Sequence, residues 1–173
     1  MLCFDQNTES QFNNIFTSII DGGVSNYMVE AKVPPHITVA YFSADEIEPI
    51  INEMDSHVSE FSTGNIIWAS LGTFVPKVLF AAPVMNEYLL NTCINANRLI
   101  KPLCENGEAG RFYLPYNWVP HTTLALDLDN ESLKKAFGIV SQQFTFISGQ
   151  GNRLLLVEAK SNPYNIIKTW ELI

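Results

Sequence analysis

A five-residue pattern of proline, histidine, any residue, threonine and an aliphatic occurs twice in this chain. The copies are Pro35-His36-Ile37-Thr38-Val39 and Pro120-His121-Thr122-Thr123-Leu124, displaced by 85 residues (121 minus 36) in a chain of 173. Each copy opens the same succession of elements. After the first, the β-branched and aromatic run His36 to Phe42 predicts a strand, and Ser43 with Glu46 has capping-box spacing. Ile47, Ile50, Ile51, Met54 and Val58 follow at helical intervals, and the runs 65–74 and 78–84 predict a hairpin closed around Pro76 and Lys77. After the second copy, His121 to Asp127 predicts a strand and Asn130 a helix cap. Leu133, Phe137 and Val140 mark the helix, and Phe144 to Ser148 and Arg153 to Ala159 read as two further strands. A strand-helix-strand-strand unit repeated once at so long a period implies two pseudo-symmetric lobes around a central cleft, not a solenoid of many short units. Strands and helices mixed without strict alternation predict an α+β fold, with residues 1–173 forming one domain.

The remaining segments fit around this pair. Thr8 and Gln11 have capping-box spacing, and Phe12, Ile15, Phe16, Ile19 and Ile20 predict a first helix ended by Gly22 and Gly23. Tyr27 to Val33 alternates like a strand that Pro34 and Pro35 stop. Residues 86–103 read as a long helix with Leu89, Leu90, Cys93, Ile94 and Ile100 on one face. Residues 105–120 then read as a loop rich in glycine and aromatics, and Ile166 to Leu172 as a last strand.

Composition narrows the function classes. Eighteen acidic residues against ten Lys and Arg leave a net charge of -8, so duplex DNA or long structured RNA meets net repulsion. A small ligand with one phosphate needs only a few well-placed donors. No apolar run approaches the roughly 20 residues of a membrane span, and the start lacks a signal-like pattern, so a soluble cytoplasmic protein is expected. Cys3, Cys93 and Cys104 are odd in number and lack CxxC spacing, which predicts reduced thiols without disulfide or zinc.

The duplicated motif carries the chemistry. Side chains on a strand alternate faces, so His36 and Thr38 share one face, roughly 7 Å apart, while Ile37 and Val39 point to the other. His121 and Thr123 obey the same geometry, with Thr122 and Leu124 opposite. If a pseudo-two-fold brings both faces to one cleft, a phosphorus centre fits between two imidazoles. Displacement at phosphorus needs one base for the attacking oxygen and one acid for the departing oxygen, and an imidazole with a pKa near 6.5 serves as either. Each threonine hydroxyl can donate to a non-bridging oxygen. Isolated His-x-Thr triplets carry little information; the specific signal is two copies, each after proline and each leading a strand and a helix.

These paired motifs resemble the His-x-Thr signatures of the 2H phosphoesterase superfamily, which includes 2'-5' RNA ligase-like proteins and cyclic nucleotide phosphodiesterases. The likeness covers nearly the whole chain. It implies a bilobal α+β fold and a metal-independent phosphodiesterase, without cofactor, acting on a cyclic phosphate or phosphodiester of a nucleotide, a short RNA end or a related small metabolite. Carried over residue by residue, it implies His36, Thr38, His121 and Thr123 as the catalytic set, leaning toward His36 as acid and His121 as base in ring opening. The pseudo-symmetry of the motifs leaves that order open. Members of the RNA ligase branch often carry an arginine soon after the second motif, where this chain has Leu124, Ala125, Leu126 and Asp127; two-histidine chemistry is therefore expected without end-joining and without tight 2',3'-cyclic phosphate specificity.

Arg111 and Tyr113, in the loop before the second motif, are candidates to meet a phosphate and stack on a base, alongside Tyr116 and a Trp118 read as packing beneath the strand. Lys32, Lys77 and His57 read as surface residues. No HxH, HExxH or clustered carboxylate spacing points to a metal. The reading from another class is a non-catalytic module that holds a nucleotide or RNA end on the same fold. A monomer is expected, with a small nucleotide-like or cyclic-phosphate substrate as its partner.

Overall fold

The computed structural model describes residues 1–104, 110–159 and 163–173; the first five residues of the loop 105–120 lie outside that range. Seven strands form one antiparallel sheet: β1 (Leu2–Phe4), β2 (His36–Ile37), β3 (Gly64–Phe74), β4 (Val78–Pro83), β5 (Thr122–Ala125), β6 (Ile147–Glu158) and β7 (Asn165–Glu171). The helices are α1 (Gln6–Asp21), α2 (Tyr27–Glu30), α3 (Glu48–His57), α4 (Glu87–Ile100) and α5 (Asn130–Ser141). The repeat is present in the element order, β2-α3-β3-β4 and then β5-α5-β6-β7. The fold is α+β.

The sheet path runs β2-β1-β6-β3-β4-β5. Strands β3 and β7 lie end to end along one edge of β6, where the Thr63 amide donates to the Ile173 carbonyl (3.2 Å), and β1 takes the other edge. The two strands that end the path, β2 and β5, bring Cα atoms within 8 Å of each other. Sheet twist accumulated over six strands thus curls the path until its ends meet. Those ends are the two strands that begin at the histidine motifs.

Burial of α1 closes one side of the core. Phe12, Ile15, Phe16 and Ile19 recur at helical spacing and are buried, and Phe4, Phe12 and Trp68 pack ring against ring, with Trp68 edge-on to both at 4.8 and 5.1 Å. Full burial of such side chains stabilises by roughly 1.5–3 kcal/mol each.

Several local expectations are corrected. The segment from Tyr27 forms the helical turn α2: its buried residues Met28 and Ala31 stand at i and i+3, while Val29, which a strand would turn inward, is 54% exposed. Phe144 to Ser148 and Arg153 to Ala159 are not two strands, because β6 runs unbroken from Ile147 to Glu158. The Gly149-Gln150-Gly151 run that suggests a turn is instead a place of close approach. A Cβ at Gly149 would overlap Thr8 of α1, and one at Gly151 would meet the Tyr88 hydroxyl at 2.5 Å. The caps also shift by one to three residues. Asp5 caps α1 by accepting from the Thr8 amide (3.0 Å), and Asp129 caps α5 by accepting from the Ser132 amide (2.8 Å). Helix α3 starts without a side-chain cap, with Pro49 in its first turn where a missing N–H costs nothing. Of the two glycines after α1, only Gly23 is left-handed (φ 64°). The 65–74 and 78–84 hairpin, the helix from residue 87 and the last strand stand as expected.

Candidate functional site

The motif residues obey the alternation read from the sequence. Ile37, Val39, Thr122 and Leu124 are buried at 2% exposure or less, while His36, Thr38, His121 and Thr123 are half-buried on the other face. Only His36 and Ile37 of the first run join the ladder, opposite Cys3 and Leu2 of β1; the expected strand to Phe42 stops there. Thr38 and Val39 leave the sheet, so their carbonyls need other partners. Trp118 Nε1 donates to the Thr38 carbonyl (3.1 Å) and Asn97 Nδ2 to the Val39 carbonyl (3.1 Å). Trp118 stands three residues before His121, so its indole ties the first motif to the approach of the second.

Symmetry reaches the atoms of the two rings. His36 Nδ1 lies 2.9 Å from the Pro34 carbonyl and His121 Nδ1 lies 2.8 Å from the Val119 carbonyl, in each case the residue just before the motif's proline. A carbonyl only accepts, so these bonds place the proton on Nδ1 and leave Nε2 as the free nitrogen of each neutral ring. The proline helps. It holds the residue before it extended, which aims that carbonyl back at the ring. Neither threonine hydroxyl of the half-buried pair, Thr38 or Thr123, has a hydrogen-bond partner among the described residues. By contrast the buried Thr122 hydroxyl accepts from Trp68 Nε1 (3.0 Å).

Burial pushes the His36 imidazole down from its ordinary value to about 4, against the upward pull of the Pro34 carbonyl, and the His121 ring adds to the depression. The two imidazoles therefore lie within electrostatic reach of each other. His121 is also held below its ordinary value, chiefly by burial, with the Val119 carbonyl opposing. A histidine depressed in the folded state binds its proton more readily unfolded, so its contribution to stability is complete above about pH 6.5 and falls as pH drops toward 4. Between pH 7 and 4.5 the protein is expected to lose roughly 2 kcal/mol through His36. Denaturant titrations at the two pH values check this, and His36→Gln should flatten the difference.

The other candidates separate. Tyr113 reaches the exit of the first motif, where its ring stacks on Tyr41 at 5.8 Å and 26°, and its carbonyl accepts from Asn97 (3.1 Å). Arg111 is exposed, with its guanidinium over the neighbouring Phe112 ring at 4.8 Å. His57 lies on α3 against Glu53. Lys32 and Lys77 are exposed. Among the described residues no group of three or more His, Cys, Asp and Glu is placed to hold a metal ion, and no helix is long and apolar enough to cross a membrane. Sequence reasoning missed Asn97, the N–H role of Trp118, and Phe74 and Phe80, whose rings lie 5.0 and 5.2 Å from that of His121. Nothing in their spacing marks them, because they act across strands.

Comparison with known proteins adds a decisive observation: residues 26–163 match the 2'-5' RNA ligase superfamily. The chain belongs to that superfamily. The match takes in both histidine motifs and every element of the repeat except β7, which begins at Asn165. As a 2'-5' RNA ligase superfamily member, this chain sits among the 2H phosphoesterases, a superfamily that is generally enzymatic, with phosphoesterase and ligase activities. No curated protein matches the chain.

Proposed function

We propose that this superfamily member is a metal-independent phosphodiesterase that opens a cyclic phosphate, or cleaves a phosphodiester, of a nucleotide, an RNA end or a related small metabolite. The observation that carries the reading is the matched pair of imidazoles. Each is fixed through Nδ1 to a backbone carbonyl, each leaves Nε2 free, and the two are close enough to feel each other's charge.

In ring opening, water attacks phosphorus and gives its proton to one Nε2, while the other imidazolium protonates the departing ester oxygen as its bond to phosphorus breaks. Thr38 and Thr123 donate to the non-bridging oxygens. Only the singly protonated pair is active. Family resemblance implies delivery from His36, with His121 as the base. Residues 124–127 supply no arginine to the phosphate, which favours hydrolysis over end-joining.

A substrate screen tests the proposal. Nucleoside 2',3'-cyclic phosphates, oligonucleotides ending in a cyclic phosphate and ADP-ribose cyclic phosphate are incubated with the protein in EDTA, and the opened ester is read by phosphorus NMR. Turnover of at least one class, unchanged by chelator, is expected. Tight binding by calorimetry with no product after long incubation would mean a binding module instead. Activity lost in EDTA and restored by zinc or magnesium would mean a metal hydrolase.

A further inference from the structure

His36 and His121 make the same backbone bond in different surroundings. Along the sheet Gly72 of β3 pairs with Phe80 of β4, and Phe80 pairs with Thr123 of β5. Cross-strand partners share a face, as do residues two apart on one strand, so Gly72, Phe74, Phe80, Thr123 and His121 all lie on the motif's face. Their rings pack into a corner. Phe74 meets the His121 ring edge-on (5.0 Å, 87°), Phe80 meets it tilted (5.2 Å, 54°), and the two phenyl rings touch each other (4.6 Å).

Gly72 makes the corner possible. A Cβ there would overlap the far edge of the Phe80 ring, so only glycine lets that ring lie down across β3. Phe80 is 5% exposed and forms the inner wall, while Phe74, 40% exposed at the end of β3, forms the outer one. His36 has no such corner. Its cross-strand neighbour is Cys3, followed in the same row by Arg153, and no aromatic ring contacts it among the described residues.

The difference matters because the torsion that turns an imidazole about its last bond is broad, and a single hydrogen bond through Nδ1 defines it weakly. We propose that Phe74 and Phe80, seated by Gly72, are positioning residues that hold the His121 ring with Nε2 toward the reacting phosphate. The repeat is thus symmetric in its backbone bonds and asymmetric in how its rings are braced. The effect on rate rests on the two-histidine function proposed above; the brace itself does not, and is measured separately. The titratable group that faces His121 is His36, from β2.

The chain has three histidines, so NMR of the ring C–H groups resolves His36, His57 and His121 without crowding. In Phe80→Leu the His121 signals are expected to lose the ring-current shift of the phenyl wall, and the His121 midpoint to move up toward the ordinary imidazole value as water enters. His36 and His57 stay in place. With a turned-over substrate, kcat falls about 10-fold with KM within a factor of two, the loss expected when an acid-base group is misplaced rather than removed. Phe74→Leu, at a half-open position that any folded variant tolerates, gives the same signature at smaller amplitude. Gly72→Ala lowers kcat in the parent protein but adds nothing in the Phe80→Leu background, because the ring it displaces is gone. Unchanged His121 signals in both leucine variants, or equal changes at all three histidines, overturn the proposal. If no substrate is turned over, the proposed function fails while the NMR result still decides the brace.

Discussion

Replacing His36 or His121 by alanine is expected to lower turnover by about 10²–10⁴-fold, the range that general acid-base groups supply. The double replacement should be little worse than either single one, since an acid without its base, or the reverse, leaves a pair that no longer acts as a unit. Folding should survive. Each ring is half-buried and makes one hydrogen bond to a backbone carbonyl, so the cost is about 1 kcal/mol. Below pH 6.5 that cost should shrink for His36→Ala, and near pH 4.5 it should reverse, because the substitution removes a group that the folded state keeps from protonating. Product assays paired with denaturant melts at pH 7 and pH 4.5 check both halves. Full turnover in both single variants would end the two-histidine account.

The second large effect falls on residues that touch no substrate. Asn97, 7% exposed, donates through its amide to the carbonyls of Val39, Cys93 and Tyr113 (3.1, 2.9 and 3.1 Å). Asn97→Ala strands the Val39 carbonyl in the interior and leaves the Tyr113 carbonyl only the weak Cys93 thiol at 3.6 Å, and an unsatisfied buried group costs about 1–3 kcal/mol. A loss of about 2–4 kcal/mol in chemical denaturation is expected from the pair. Trp118→Phe keeps most of the packing but removes the N–H that holds the Thr38 carbonyl. There the expected loss is in kcat, about 10-fold, beside about 1 kcal/mol of stability for the lost hydrogen bond, because Thr38 and its hydroxyl drift relative to His121. A Trp118→Phe protein with parental kcat would show that Thr38 is placed by its strand alone.

Much of this arrangement was legible in the sequence, and the reasons are local. The shared face of His36 and Thr38, and of His121 and Thr123, could be read because the pattern is short, repeated and tied to strand alternation, and the structure keeps that alternation at all eight positions of the two copies from histidine to aliphatic. The α+β class followed from the order of elements after each copy. The failures have equally physical causes. Tyr27 to Val33 fits a period of two on paper, yet burial of Met28 and Ala31 selects a helical turn. The glycines of β6 resemble a turn until Thr8 and Tyr88 are seen packed against them. Trp118, Asn97, Phe74 and Phe80 were invisible because a tertiary hydrogen bond or a ring laid across a strand leaves no periodicity behind.

Acidic chemistry follows from the depressed rings, and it offers the most direct test of the central claim that the two histidines act as one acid-base pair. The active, singly protonated pair is most populated between its two macroscopic pKa values. Burial places one of these near 4 and the other below the ordinary imidazole value. Measured in EDTA on whichever cyclic phosphate is opened, kcat/KM against pH is therefore predicted to be a bell whose maximum lies between about pH 4 and pH 6.5. A profile that keeps rising above pH 7, or one that keeps its shape in His36→Ala, would contradict it.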